Sequence, residues 1–215
     1  MKKLKHIDAW IFDLDNTLYP PSCKLFDQIA VKMTDYIVAQ MKISPEAATK
    51  LRHGYYKKYG TTLRGLMVEH DLEPHGFLDY VHDIDYAPVA AHPDLIAAIA
   101  RLPGRKLVFT AGTKAHAANV LKRLGGHDSF ECVFDIVDAD FIPKPDARPY
   151  EIFLKQHQVA PEQAAFFEDI SENLLVPRSL GMSTILVGHH DEAMLPAHVD
   201  YVTRDLAAFL TQLKF

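Results

Sequence analysis

The chain has 215 residues, 48% of them apolar and 24% charged, with a net charge of −5. That length suits one substantial domain, or a core with a smaller insertion, and the apolar share argues for a packed core and against disorder. The mildly acidic balance, with both signs interspersed, excludes the basic face of a nucleic-acid-polymer binder, and no run approaches the eighteen or so apolar residues of a membrane span. Cys23 and Cys132 match no metal spacing and read as reduced thiols. After Met1-Lys2-Lys3 the apolar run from Ala9 to Phe12 is too short for a signal peptide. The expected setting is the cytoplasm, with no membrane partner, as a monomer or homodimer.

The first element is the stretch Trp10 to Tyr19, an apolar run that ends abruptly in Asp13 and Asp15. It reads as a buried strand delivering two carboxylates to the edge of a sheet. Two acids so close resist ionising together unless a cation or hydrogen bonds hold them. The pair therefore suggests a metal, a covalent acceptor role, or both, against the plainer reading of a turn after an ordinary strand.

Pro20-Pro21 stops the extended chain, and Ser22 is placed to cap a helix. Leu25, Ile29, Met33, Tyr36, Ile37 and Met41 then recur at three- and four-residue steps, the stripe of an amphipathic helix. Ser44-Pro45-Glu46 opens a second helix, which runs to Tyr59 and ends at Gly60. Further helices are expected over 61–70 and 74–82. Residues 20–87 thus form an all-helical block inserted after the acidic strand end, and residues 1–19 and 88–215 form the α/β core.

From His92 the grammar changes. Helices over 93–102, 114–124, 148–157, 172–180 and 206–213 alternate with strands over 106–109, 132–137, 164–167, 183–187 and 201–203. This alternation predicts a Rossmann-like parallel sheet with helices on both faces, the strand at Trp10 included.

Ligands of such sheets bind beyond the carboxyl ends of the strands. There the sequence places Asp13 and Asp15, then Thr110-Ala111-Gly112, then Lys144 between Pro143 and Pro145, then Glu168-Asp169 with Asn173 close behind. A hydroxyl, exposed amides and a lysine can hold phosphoryl oxygens, and a divalent cation can join them. Magnesium prefers oxygen ligands and takes one or two carboxylates, a role that Asp13 and Asp169 fit. A carboxylate can also attack phosphorus, and a second can move the leaving group's proton.

Asp13-Leu14-Asp15-Asn16-Thr17, Thr110, Lys144 and Glu168-Asp169 resemble, in order and placement, the four motifs of the haloacid-dehalogenase-like hydrolases. The resemblance covers essentially the whole chain, with the helical block standing where that superfamily carries a cap domain. It implies Asp13 as nucleophile, Asp15 as general acid and base, and Thr110 and Lys144 as stabilisers. It also implies phosphate contacts from Leu14, Asp15, Thr110, Ala111 and Lys144, and magnesium held by Asp13, the Asp15 carbonyl and Asp169. The presence of Asp15 points to the phosphatases and phosphomutases of the superfamily, since its dehalogenases lack an acid there.

The stretches Asp13 to Pro20, Tyr59 to Leu66 and Tyr80 to Tyr86 look like the bacterial members known as pyrimidine 5'-nucleotidases. The expected function is magnesium-dependent hydrolysis of a small phosphomonoester, a pyrimidine nucleoside monophosphate first. A phosphosugar phosphatase, a phosphomutase and a catalytically weakened binding protein are the alternatives. Ala111 stands where relatives often carry Asn, which removes one side-chain hydrogen bond. Glu168 and Asn173 are expected to support Asp169 or Lys144, and Arg64 to meet the substrate. Tyr55, Tyr56 and Tyr59 are expected as core packing, and His189-His190 with Asp191 and Glu192 as a solvated turn.

Overall fold

The computed structural model describes residues 4–190 and 194–214. Asp191 and Glu192 of the polar turn lie outside the described residues, as do Met1 to Lys3. Strands β1 (Ala9–Phe12), β2 (Arg105–Phe109), β3 (Cys132–Phe134), β4 (Ala164–Glu168), β5 (Ser183–Val187) and β6 (Tyr201–Thr203) form one parallel sheet in the order β3-β2-β1-β4-β5-β6.

The inner strands carry unbroken apolar runs, Ala9–Phe12, Leu107–Phe109, Ala164–Phe167 and Ile185–Val187, because both faces are covered there. Trp10, Phe12, Val108, Ala165, Phe167 and Ile185 point to one side. They meet α5 (Pro93–Ala100), α6 (Lys114–Leu124) and α9 (Leu206–Thr211). Ile11, Leu107, Phe109, Phe166 and Leu186 point to the other, against α7 (Ala147–His157) and α8 (Leu175–Ser179). Trp10, Phe12, Phe166 and Phe167 are wholly buried, each worth ~1.5–3 kcal/mol of transfer free energy. The Trp10 indole N–H, which such burial would otherwise orphan, donates to the Pro103 carbonyl at 2.7 Å.

Between β1 and α5 lie four α-helices, α1 (Leu25–Met41), α2 (Pro45–Tyr59), α3 (Thr62–His70) and α4 (Pro74–Val81). They pack on one another around Ile29, Ile37, Leu63, Leu66, Phe77 and Val81, a cluster separate from those on the sheet faces. Ser44 caps α2 by accepting from the Ala47 N–H at 3.2 Å, and Thr61 caps α3 by accepting from Arg64 at 3.1 Å. The link between these helices requires Gly60, whose φ of +81° is left-handed. A Cβ there would stand 3.1 Å from Pro143 Cγ, so this turn rests on the loop that carries Lys144.

Several local expectations are corrected. Ser22 caps no helix: Pro21–Cys23 is a 3-10 turn, and α1 starts after Lys24, whose φ is +54°. The strand expected over 132–137 ends at Phe134, because Asp135 Oδ1 accepts from the Val137 and Asp138 amides and folds the chain into a turn. The helix expected over 172–180 divides into a 3-10 turn, Ser171–Leu174, and the short α8, in which Pro177 supplies no amide hydrogen. Tyr55 packs against the α1–α4 cluster and Tyr59 donates to Glu69, but Tyr56 is 54% exposed. Cys23 and Cys132 are both free thiols. Among the described residues no helix is long and apolar enough to cross a membrane.

Candidate active site

The strand order reverses direction at β1, with β2 and β3 on one side and β4 to β6 on the other. Such a reversal opens a crevice beyond the strand carboxyl ends. Asp13 stands at its centre, directly after β1, and its N–H donates to the Phe167 carbonyl at 2.9 Å, extending the β1–β4 ladder by one step. The chain then makes a single turn, closed by Leu18 N–H to the Leu14 carbonyl at 3.0 Å, with Asn16 in the left-handed region at φ +62°. That turn brings Asp15 back beside the crevice.

Lys144 reaches Asp13 from the loop after β3. Its Nζ donates to Asp13 Oδ1 at 2.7 Å, to Glu168 Oε1 at 2.7 Å and to the Phe109 carbonyl at 3.2 Å, and all three side chains are buried. Burial alone would lower the ammonium, but Asp13 and Glu168 outweigh it and hold Lys144 well above its usual range. Glu168 is fully committed. Beside Lys144, its Oε1 accepts from Asn173 Nδ2 at 2.6 Å, and its Oε2 accepts from the Ile170 N–H at 2.8 Å. Asn173 therefore acts on Lys144 through Glu168, one of the two supports the sequence allowed.

One cation does not balance this site. Carboxylate oxygens of Asp13, Glu168 and Asp169 all lie within 4.8 Å of one another. Burial, then the neighbouring charges, push Asp13 up to about 7 even against Lys144, and push Asp169 up to about 8. An oxygen-only cluster with excess negative charge fits a hard divalent cation such as magnesium. Asp13 and Asp169, the two not locked by three hydrogen bonds, are the carboxylates available to it.

Asp15 has a different environment. Its carboxylate lies outside that cluster, and its Oδ1 accepts from the Tyr19 hydroxyl and from His116 Nε2, the latter at 2.7 Å. Burial would raise this carboxyl, yet His116 and Tyr19 outweigh it and hold Asp15 below the usual carboxylate range. Two acids two residues apart are thus driven in opposite directions, Asp13 toward its neutral form and Asp15 toward its charged one.

Thr110 is buried at the end of β2, where its Oγ1 accepts from the Gly112 N–H at 3.0 Å, and Ala111 is exposed at the mouth. Arg64 sits in the first turn of α3, half-buried, and its guanidinium makes no hydrogen bond or ion pair among the described residues. The α2–α3 turn that precedes it touches Pro143.

A family model described as haloacid dehalogenase-like hydrolase matches residues 7–181. The chain belongs to this family. Phosphate metabolism protein 8 of Saccharomyces cerevisiae (strain ATCC 204508 / S288c) is 28% identical over 199 residues, which is 83% of this chain and 60% of that relative. A haloacid dehalogenase-like phosphatase from Thermococcus onnurineus has a similar fold, with a TM-score of 0.63, 18% identity and coverage of 95% of this chain and 97% of that one. So does the L-2-haloacid dehalogenase of Xanthobacter autotrophicus with chloropropionic acid covalently bound, at a TM-score of 0.57, 15% identity and the same coverage.

In this haloacid dehalogenase-like chain, Asp13, Lys144, Glu168 and Asp169 meet as the strand-end reasoning anticipated. Four residues around Asp15 were not anticipated: Tyr19, His116, His82 and Tyr86. Tyr19 carried a usable signal, since it stands four residues after Asp15 in a one-turn motif. His116, on a helix whose apolar stripe it shares, carried none.

Proposed function

We propose that the protein is a magnesium-dependent phosphatase that hydrolyses a small phosphomonoester through an aspartyl-phosphate intermediate, with residues 20–87 acting as its cap. The observation that carries this reading is Asp15, a half-buried carboxylate two residues after Asp13 that is fixed through one oxygen. An alkoxide leaving group needs a proton donor at that place. The name of the yeast relative, a phosphate metabolism protein, is consistent with it.

In this reading Asp13 attacks phosphorus while the ester oxygen leaves and takes a proton from Asp15. Asp15 then deprotonates a water that attacks the phosphorus of the aspartyl phosphate, which frees phosphate and restores Asp13. The proton that Asp15 needs is favoured by the substrate itself, because a phosphate dianion placed beside it raises a carboxyl that is depressed in the free protein. Lys144 is aimed by Glu168 and Asn173, and with Thr110 and the amides of the Leu14–Asp15 and Ala111 turns it faces the phosphoryl oxygens. Magnesium would be held by Asp13, Asp169 and the Asp15 carbonyl, since the Asp15 carboxylate is engaged elsewhere. Extra positive charge against the transferring phosphoryl group is what the bound ion supplies. Arg64 and the α2–α3 turn are the substrate-choosing parts, and a pyrimidine nucleoside 5'-monophosphate is the first candidate.

The test is phosphate release from nucleoside monophosphates, sugar phosphates and 2-haloacids, with magnesium and with EDTA. Phosphate release that needs magnesium and is lost in Asp13→Asn is expected, with UMP and CMP preferred over AMP and GMP. Halide release without phosphatase activity would overturn the reading, whereas equal rates on all esters would remove only the pyrimidine preference.

A further inference from the structure

His116 has no part in the mechanism above, yet its buried ring is tied at both nitrogens. Nε2 lies 2.7 Å from Asp15 Oδ1, and because a carboxylate only accepts, Nε2 carries the hydrogen. Nδ1 lies 3.0 Å from the Tyr86 hydroxyl, which also reaches the His82 carbonyl at 2.9 Å. The His82 ring stacks on that of His116, with centroids 4.7 Å apart, and its Nδ1 lies 3.4 Å from Thr113 Oγ1. The backbone makes room for this arrangement. Thr113 caps α6 by accepting from the His116 N–H at 3.1 Å, and a Cβ on Gly112 would come within 2.8 Å of the imidazole.

The bonds to Asp15 are unequal. Tyr19 and His116 both hold Oδ1, while Oδ2 makes no hydrogen bond among the described residues. The two donors fix the plane of the carboxylate and leave one oxygen to exchange a proton. His82 and Tyr86 lie where the chain returns from α4 toward α5, so the ring that aims Asp15 is itself clamped by the exit of the helical insertion.

We propose that His116 is the positioning residue of the acid: it aims Asp15 Oδ2 at the leaving oxygen, and Tyr86 and His82 tie that aim to the seating of the inserted helices. This rests on the phosphatase reading. No bond is made or broken by His116. Its contribution is orientation, so it matters in proportion to how much the leaving group needs a proton.

The experiment compares an alkyl phosphate such as glycerol 3-phosphate, whose leaving alkoxide must be protonated, with 4-nitrophenyl phosphate, whose phenolate leaves unaided. In His116→Leu, kcat on the alkyl ester is expected to fall on the order of 100-fold, with KM little changed, against less than about 5-fold on the nitrophenyl ester. His116→Gln, which can present an N–H near the Nε2 position, is expected to restore most of the alkyl rate. Tyr86→Phe, which keeps the ring and loses the hydroxyl, is expected to show a smaller loss with the same dependence on leaving group, and serves if His116→Leu does not fold. Equal losses on both esters, or no rescue by Gln, would overturn the positioning role while leaving the phosphatase reading intact. Absence of phosphate release by the wild type from both esters and from the nucleoside monophosphates would overturn the phosphatase reading itself.

Discussion

Asp169 offers a substitution that should cost activity and raise stability together. In the metal-free protein its carboxyl is half-buried beside Asp13 and Glu168 and pushed up to about 8 from an ordinary value of 3.8. A raised folded-state value means that the neutral form's contribution to stability is fully present below pH 3.8 and is lost as pH rises through about 8. At pH 7.5 the full shift would amount to about 5 kcal/mol. Part of the side chain touches water, and Asp13 titrates with it, which leaves on the order of 2 kcal/mol for Asp169 alone. Asp169→Asn removes that penalty. By urea denaturation in EDTA, the variant should equal the wild type near pH 3.8 and exceed it by about 2 kcal/mol at pH 7.5. Excess magnesium should reverse the ranking, because it stabilises the folded wild type by mass action and the variant far less. A variant less stable than the wild type in EDTA at pH 7.5, or a gap that does not widen with pH, would refute the view that these carboxylates repel one another and await a cation.

Two further outcomes follow from the surroundings. His82 is half-buried against His116, and its loss of water, then that neighbour, pushes it down to about 4. Its neutral form stabilises the fold fully above pH 6.5, and that stability is lost as pH falls toward 4. His82→Leu should therefore flatten acid destabilisation by about 2–3 kcal/mol between pH 7.5 and 4.5 in urea titrations, and parallel curves for the two proteins would contradict this. Gly60→Ala forces a side chain into φ +81° and sets a Cβ 3.1 Å from Pro143. It should cost ~1 kcal/mol, seen as a melting temperature about 3 °C lower with a raised KM, and an unchanged melting curve would argue against the contact.

What the sequence disclosed and what it hid divide on physical grounds. A strand covered on both faces reads as an unbroken apolar run, so the runs in β1, β2, β4 and β5 stood out. The polar residues just past them were conspicuous because nothing else interrupts such runs. Where side chains compete for the backbone the pattern fails: Asp135 captures two amides and ends β3 three residues before its apolar character does. The same limit appears in the site. Asp13 and Asp169 owe their places to their own strands, but the work of Glu168 is decided by the Asn173 amide and the Ile170 N–H, which turn it toward Lys144.

His116 lies furthest from view, because its partner Asp15 is 101 positions away and its helix would bury some side chain there in any case. The two kinds of residue carry different burdens. Strand ends supply the groups that meet phosphate and cation, and these can be named from their order along the chain. The groups that aim them arrive from helices and from the insertion, where a histidine and a leucine fit the same apolar stripe. A close relative could therefore keep every strand-end residue, replace His116 with an apolar one, and still read as intact. On the geometry of Asp15, such a protein should retain activated esters as substrates and lose the alkyl ones.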